Sequence, residues 1–368
     1  MARLNRAEQQ ARNRARVLAA ARDEFAEHGF RDAKVDRIAD RAELTRGAVY
    51  SNFPGKRALY FSVLAETAET AETAARTPRT EPGTTAATAL GALARAWVSR
   101  FPLSDSDESL RSAAGLTPEV LSDEPTRRAF AQLMRLDAIL LGLSLEALEP
   151  PAEPGGRRVR VAETVLTTLY GAGQTAAAAP GFVDPFNVVR ACERLAGLNP
   201  DDAWPLPHVA HIPPAAPVDE DWAPPEGFDA VRRRTVSLAG DGVVAVLGLH
   251  RLEAVEEALR AAPGDEAVTA VVVTAEPAER GPLARLAVAD LCGCLRQAFP
   301  EAAWPRLRVV FDDDGAIAEA AGAASVEDTT EIAVRVVGGR VVARSDGRGA
   351  GHAVGSFAPA RGGDRSRR

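Results

Sequence analysis

The sequence predicts two fold classes in succession: an all-α first half that opens with a helix-turn-helix, and a smaller α/β domain after it. Three observations carry this. Apolar residues recur at helical spacing from about residue 12 to residue 198. Eight prolines then fall between 199 and 227 and break every pattern. Beyond them, short β-branched runs alternate with helical stretches, the texture of βαβ units. A chain of 368 residues has room for two or three such domains.

Hydrophobic residues at 46% and charged residues at 26% are ordinary for a globular protein. The longest apolar runs fall short of the roughly 18 residues a membrane span needs, and the charged start has no apolar h-region. The expectation is a cytoplasmic protein with no membrane partner. Three cysteines, Cys192, Cys292 and Cys294, are too few for a disulfide scaffold and suit a reducing compartment. The net charge of −7 is unevenly spread: residues 1–60 hold 13 Lys/Arg against 8 Asp/Glu, a net of +5, which leaves −12 on the rest. A basic head on an acidic body fits a small DNA-reading module. On charge alone, a solvated basic helix fits equally well.

Taken in order, residues 12–26 place Val17, Leu18, Ala21 and Phe25 on one helical stripe, which Gly29 should close as a C-cap. A short helix follows with Val35, Ile38 and Ala39 inward. After a three-residue turn comes another, from Thr45 to about Phe53, broken by Pro54-Gly55 before a longer helix near Lys56. Two short helices about such a turn make a helix-turn-helix. Helical stripes continue at 89–101, 126–148, 159–179 and 186–198, while Ala and Thr dominate 65–88 and leave its helix ends undefined. Strands are expected at 243–249, 268–274, 307–311 and 332–337, helices at 252–262 and 283–299, and a two-residue hairpin turn at Gly338-Gly339. The predicted organisation is a helix-turn-helix domain at 1–60, a helical domain at 61–198, a stiff proline linker at 199–228, an α/β domain at 229–357, and a disordered basic tail at 358–368.

The residues of the helix-turn-helix suit DNA. Thr45 is a natural N-cap, and Arg46 has the fork that reads guanine in the major groove. Gly47 and Ala48 keep the helix face low, and Tyr50 offers a hydroxyl to a phosphate, while Val49 and Phe53 face the core. Lys34, Ser51 and Asn52 complete the candidate DNA-binding set with Thr45, Arg46, Gly47, Tyr50 and Lys56. Lys56 puts a cation in the first turn of a helix, against the macrodipole, which makes sense if a phosphate sits there. Arg3, Arg6, Arg12, Arg14 and Arg16 form an arm that either reaches the backbone or minor groove or is simply solvated.

The run Ala42-Glu43-Leu44-Thr45-Arg46-Gly47-Ala48-Val49-Tyr50-Ser51-Asn52-Phe53-Pro54-Gly55-Lys56 resembles the helix-turn-helix of TetR-type regulators. The resemblance extends back through Val35-Asp36-Arg37-Ile38-Ala39 to the segment from Ala20 to Phe30. It departs from the family at two places: Glu43 replaces the usual turn glycine, and Lys34 the usual Ser or Thr cap, unless Asp32 substitutes. A non-glycine residue at positive φ in the turn costs on the order of 1 kcal/mol. The resemblance implies an all-helical second domain that dimerises and encloses a small-molecule effector, with 162–182 and 184–197 as the paired last helices. Small residues along 171–179 permit close approach. Trp97, Phe101, Phe130, Met134, Leu140 and Tyr170 are candidate effector-binding residues, although apolar residues at such spacing are also ordinary core. The implied function is a ligand-responsive repressor that binds a palindromic double-stranded DNA operator as a homodimer.

The segment around Val309-Val310-Phe311-Asp312-Asp313-Asp314-Gly315 and the later Gly338-Gly339 hairpin resembles a thioredoxin-like fold. The family's reactive cysteine should follow the first strand, where this chain has Gly248-Leu249-His250-Arg251, and no proline precedes the penultimate strand. A non-catalytic role is therefore expected. Cys292-Gly293-Cys294 is the one dithiol in the sequence. Residues two apart diverge on a helix, so buried structural cysteines are expected, with a thiol-redox sensor or oxidoreductase as the alternative. His208 and His211 lie in the proline linker without carboxylate or cysteine companions, so no metal site is expected. No catalytic triad, P-loop or dinucleotide fingerprint is present, and no enzyme activity and no cofactor are expected.

Overall fold

A computed structural model describes residues 6–74, 81–101, 123–151, 156–199, 211–264 and 266–358. They divide into two compact units: a helical one, Met1–Asp202 with Glu276–Pro305, and an α/β one, Ala203–Ala275 with Arg306–Arg368. The tail expected beyond residue 358 and His208 of the expected linker lie outside the described residues.

The helical unit begins with α1 (Arg6–Asp32), α2 (Val35–Arg41), α3 (Arg46–Tyr50) and α4 (Lys56–Ala74). The expected stripe is present, with Val17, Ala21 and Phe25 fully buried. Gly29, at φ 68, kinks α1 rather than ending it. Arg12, Arg14 and Arg16 are therefore part of a helix, not an arm, while Arg3 lies outside the described residues. Phe25 and Phe30 close on Tyr60 of α4, with ring centroids 5.2 and 4.8 Å away, so burial of aromatic area ties α4 to α1.

Next come α5 (Ala86–Val98), α6 (Glu124–Leu148), α7 (Val159–Ala178) and α8 (Pro185–Leu195). Each start has a chemical cause where a cap is present. Thr85 and Thr88 form a reciprocal capping box on α5, Asp123 caps α6 ahead of Pro125, and Asp184 caps α8 ahead of Pro185. α5 lies along α8, and α6 along α7.

The α/β unit holds β1 (Ala216–Asp221), β2 (Gly227–Asp229), β3 (Arg234–Val236), β4 (Gly242–Gly248), α9 (Ala254–Ala261) and β5 (Val268–Val273). After α10 (Pro277–Ala298) follow β6 (Arg308–Phe311), α11 (Ala316–Ala320), β7 (Glu331–Val337), β8 (Arg340–Asp346) and α12 (Ala350–Gly355). Among the described residues, eight strands form one sheet in the order β1-β8-β7-β4-β5-β6-β2-β3. β4, β5 and β6 run parallel, and β7 is antiparallel to β4 and to β8. Val244, Val246, Val271, Val273, Val310, Ile332, Val334 and Val336 face one core with Trp222 and Ile317. On the opposite side, α9 and α12 cover β4. The expected hairpin is present, with Gly338 at φ 58 and Gly339 at φ 74, the left-handed pair that a tight primed turn requires. This mixed sheet does not by itself establish a thioredoxin-like fold.

Two boundaries differ from the sequence reading. β1 falls inside the range read as linker. Its Pro217 is tolerated because β1 is an edge strand that, among the described residues, pairs with β8 alone. Its acidic residues meet Arg340 and Arg344 of β8, with Glu220 2.6 Å from Arg344. The helix expected at 283–299 in the α/β domain belongs instead to the helical unit, where α10 lies against α4, α5 and α6. The cause is its circumference: Pro282, Leu283, Leu291 and Cys292 are buried at positions that encircle the helix. A helix apolar on every side needs neighbours on every side.

Candidate nucleic-acid interface

α2 is anchored by Ile38 and Ala39, both buried. Lys34 gives α2 no side-chain cap, as its chemistry dictates, and the help comes from α1: Glu24 accepts the Lys34 amide at 3.1 Å. Glu24 is fully buried, and guanidinium groups of Arg37 and Arg41 stand 3.6 Å from its carboxylate. The ligand atoms of Glu24, Glu27 and His28 lie within 4.8 Å of one another. Arg41 already donates to both oxygens of Glu27, so this donor set serves a guanidinium and does not suit a metal.

The turn from α2 to α3 places Glu43 at φ 49, the left-handed conformation its position implies. The strain, on the order of 1 kcal/mol, is held by a backbone bond from Leu44 N–H to the Ala39 carbonyl at 3.0 Å and by Arg16, which donates to the Glu43 carboxylate at 2.8 Å. Arg16 thus supports the turn, and Arg14 supports the exit: it lies 4.3 Å from the centre of the Phe53 ring and donates to the Asn52 carbonyl.

Thr45 caps α3 as expected, accepting the Ala48 amide at 3.2 Å. Val49 and Phe53 are buried at 2%, which turns Arg46, Gly47, Tyr50 and Ser51 outward together. A Cβ on Gly47 would meet nothing nearer than Thr45 Oγ1 at 3.9 Å, so no internal contact requires glycine there. Arg46 is 61% exposed. It pairs with equally open Asp36 at 3.2 Å and lies 5.5 Å from the Tyr50 ring; the Tyr50 hydroxyl and Asp36 push its guanidinium pKa further up. Ser51 and Asn52 donate back to the Ala48 carbonyl at 2.9 and 2.8 Å and finish the helix, a role their residue types did not reveal. Lys56 donates to the Arg31 carbonyl at 3.1 Å, 4.7 Å from the Phe30 ring centre. Its place in the first turn of α4 therefore has a cause within the protein, without a phosphate.

Sequence reasoning overlooked Glu24. The legible signal was a carboxylate on the apolar stripe of Val17 and Ala21, with Arg37 and Arg41 one turn apart on the next helix.

The effector candidates are largely brought together. Trp97 of α5 meets Tyr170 of α7 edge-on at 5.0 Å, Phe130 of α6 meets the same ring at 6.1 Å, and Phe101 lies against Gly173 of α7. Met134, one turn after Phe130, is half-buried, and Leu140 is fully buried in α6 as core.

The thiols offer little chemistry. All three cysteines are buried and none forms a disulfide among the described residues, and burial pushes the Cys192 thiol up to about 11. Where a reactive cysteine was sought, Arg251 instead binds the buried Glu331 at 2.5 Å.

Comparison with known proteins bears on the first segment. Residues 17–63 match the family model of bacterial regulatory proteins of the tetR family. Two curated proteins of Pseudomonas putida are 46% identical over 52 residues, 14% of this chain: the HTH-type transcriptional regulator SrpR and the uncharacterized HTH-type transcriptional regulator TtgW. The match spans 24% and 39% of their respective lengths. Among solved structures, a TetR transcriptional regulator from Rhodococcus sp. RHA1 aligns over 51% of this chain and 95% of its own, with TM-score 0.34 and 15% identity. FadR of Bacillus subtilis, solved with stearoyl-CoA, aligns over 50% of this chain and 96% of its own, with TM-score 0.34 and 20% identity. Among the described residues, no helix is long and apolar enough to cross a membrane.

Proposed function

We propose that this chain is a sequence-specific DNA-binding transcriptional regulator, a ligand-responsive repressor that binds a palindromic operator as a dimer. One observation carries the reading: in a helix-turn-helix held rigid from beneath, α3 turns Arg46, Gly47, Tyr50 and Ser51 outward together while its other face is buried. Arg46 reads a base edge, Tyr50 and Thr45 touch phosphates, and Lys34 and Lys56 add positive charge along the backbone. Two such helices must stand about 34 Å apart to read successive major-groove faces, which calls for a two-fold pair. Phe182, between α7 and α8, and Phe186, in the first turn of α8, are each 78% exposed and supply apolar surface for that pairing. The aromatic group of Trp97, Phe130 and Tyr170 marks the effector site. The α/β unit serves as a non-catalytic binding module, for which the thioredoxin-like shape remains our reading of β4, α9, β5 and the β7–β8 hairpin. Burial of Cys292 and Cys294 does not favour the redox alternative.

The test is selection from a random duplex library with the purified protein, followed by light scattering of the complex. Enrichment of an inverted repeat bound by two chains is expected. A library that shows no enrichment, or a single chain on the selected site, overturns the proposal.

A further inference from the structure

Asp137 is wholly buried in α6, and neither of its carboxylate oxygens has a hydrogen-bond partner among the described residues. Seven residues on, Ser144 is also fully buried, its hydroxyl unpartnered among the described residues. Residues seven apart share a helix face, here about 10 Å apart along the axis. Phe130 and Met134, seven and three residues before Asp137, lie on that same stripe. Phe130 stands against Tyr170, which stands against Trp97, so the stripe faces an aromatic wall built from α5 and α7. Burial and the neighbouring Asp290 of α10 push the Asp137 carboxyl pKa well up, and burial together with Asp137 pushes up that of the Tyr170 hydroxyl. Arg100, close over Trp97, pairs with Asp290 at 3.0 Å and cancels it. Asp137 is left as an acid without a countercharge among the described residues.

A buried carboxyl and a buried hydroxyl left unbonded on one stripe destabilise the fold, and apolar residues of the same size would pack there without that cost. Their retention makes sense when an external molecule supplies the missing donor. Resting on the reading of this chain as a ligand-responsive regulator, we propose that the stripe is the floor of the effector site and that the effector is a lipophilic amine. Its apolar body lies on Trp97, Tyr170 and Phe130, and its protonated nitrogen donates to Asp137. The ring faces add cation–π attraction for the same charge. Ser144 meets a second polar atom about two helical turns away.

The test is calorimetric titration of the full-length protein with 4-phenylbutylamine, 4-phenylbutanol and 4-phenylbutyrate. The amine is expected to bind at least tenfold more tightly than the alcohol, and the acid to bind weakest. Asp137→Asn keeps the shape without the charge; it should lose at least tenfold for the amine and less than threefold for the alcohol. Asp137→Leu is the second variant, and circular dichroism checks that both fold. An alcohol that binds as well as the amine, an amine that does not bind, or amine affinity unchanged in Asp137→Asn overturns the proposal. Binding of the unliganded wild type to its selected DNA is measured alongside. DNA binding without amine binding sinks this inference alone, whereas loss of DNA binding sinks the regulator reading itself.

Discussion

Arg46→Ala separates reading from folding. In the folded chain the Arg46 guanidinium pairs with Asp36 at side-chain exposures of 61% and 66%, an open pair that contributes at most about 0.5 kcal/mol. Its approach to the Tyr50 ring at 5.5 Å adds about 0.5 kcal/mol at such an exposed site. Truncation should therefore lower the urea-unfolding stability by less than about 1 kcal/mol. On DNA, a forked contact to guanine is worth about 1–3 kcal/mol of discrimination, or roughly 5- to 150-fold, in each half-site. Releasing Asp36 to make that contact costs little, so most of it should show in the affinity. The assay is fluorescence anisotropy against the selected duplex and a scrambled one at a single fixed salt concentration. The expected result is a large loss on the selected sequence and a small one on the scrambled sequence. Equal losses on both would falsify the base-reading role and leave Arg46 a general backbone contact.

Lys56→Ala removes the donor to the Arg31 carbonyl and should cost about 1 kcal/mol in urea unfolding. If a second donor of the ammonium also meets a phosphate, as proposed, the slope of log affinity against log salt falls by about one, while an unchanged slope leaves only the structural role. In the α/β unit, Glu331 is 3% exposed and accepts Arg251 together with the Gly349 and Ala350 amides. Glu331→Ala leaves that guanidinium only the partly exposed Glu253 at 3.6 Å and removes the acceptor of two buried amides, and should destabilise the unit by about 3 kcal/mol; a loss under about 1 kcal/mol would refute the network. Burial opposes ionisation of Asp123, but hydrogen bonds from Thr126 and the Arg57 guanidinium outweigh it and bring the carboxyl down to about 2. A depressed acid contributes stability that is full above its ordinary pKa near 4 and is lost as pH falls toward 2. With a third of the side chain exposed, that contribution is about 1 kcal/mol. Acid unfolding of Asp123→Asn should lack this step, and an unchanged pH profile speaks against it.

The helix-turn-helix was legible because its information is local. Thr45 caps the helix three residues before the amide it accepts, Val49 and Phe53 repeat at helical spacing, and Pro54-Gly55 breaks the chain wherever it occurs. Glu43 at positive φ was foreseeable for the same reason, since the turn geometry depends on a handful of consecutive residues. In the α/β unit, β4, β5, β6 and β7 declared themselves as β-branched runs, and two consecutive glycines declared the hairpin between β7 and β8.

What only the tertiary structure decided depends on partners distant in sequence. β1 reads as a proline linker until the arginines of β8, more than a hundred residues on, give its acidic residues a place. Lys56 has a role that its residue type does not disclose, a hydrogen bond to the Arg31 carbonyl just past the kink at Gly29. α10 carries an all-round apolar pattern that signals burial but cannot name the neighbours, and the fold gives them as α4, α5 and α6. Asp137 is one acid among 51 acidic residues in the sequence, and only the packing of α6 deprives it of water and of a partner. Periodicity and capping are properties of a segment, whereas desolvation and pairing belong to whatever the folded chain brings alongside it.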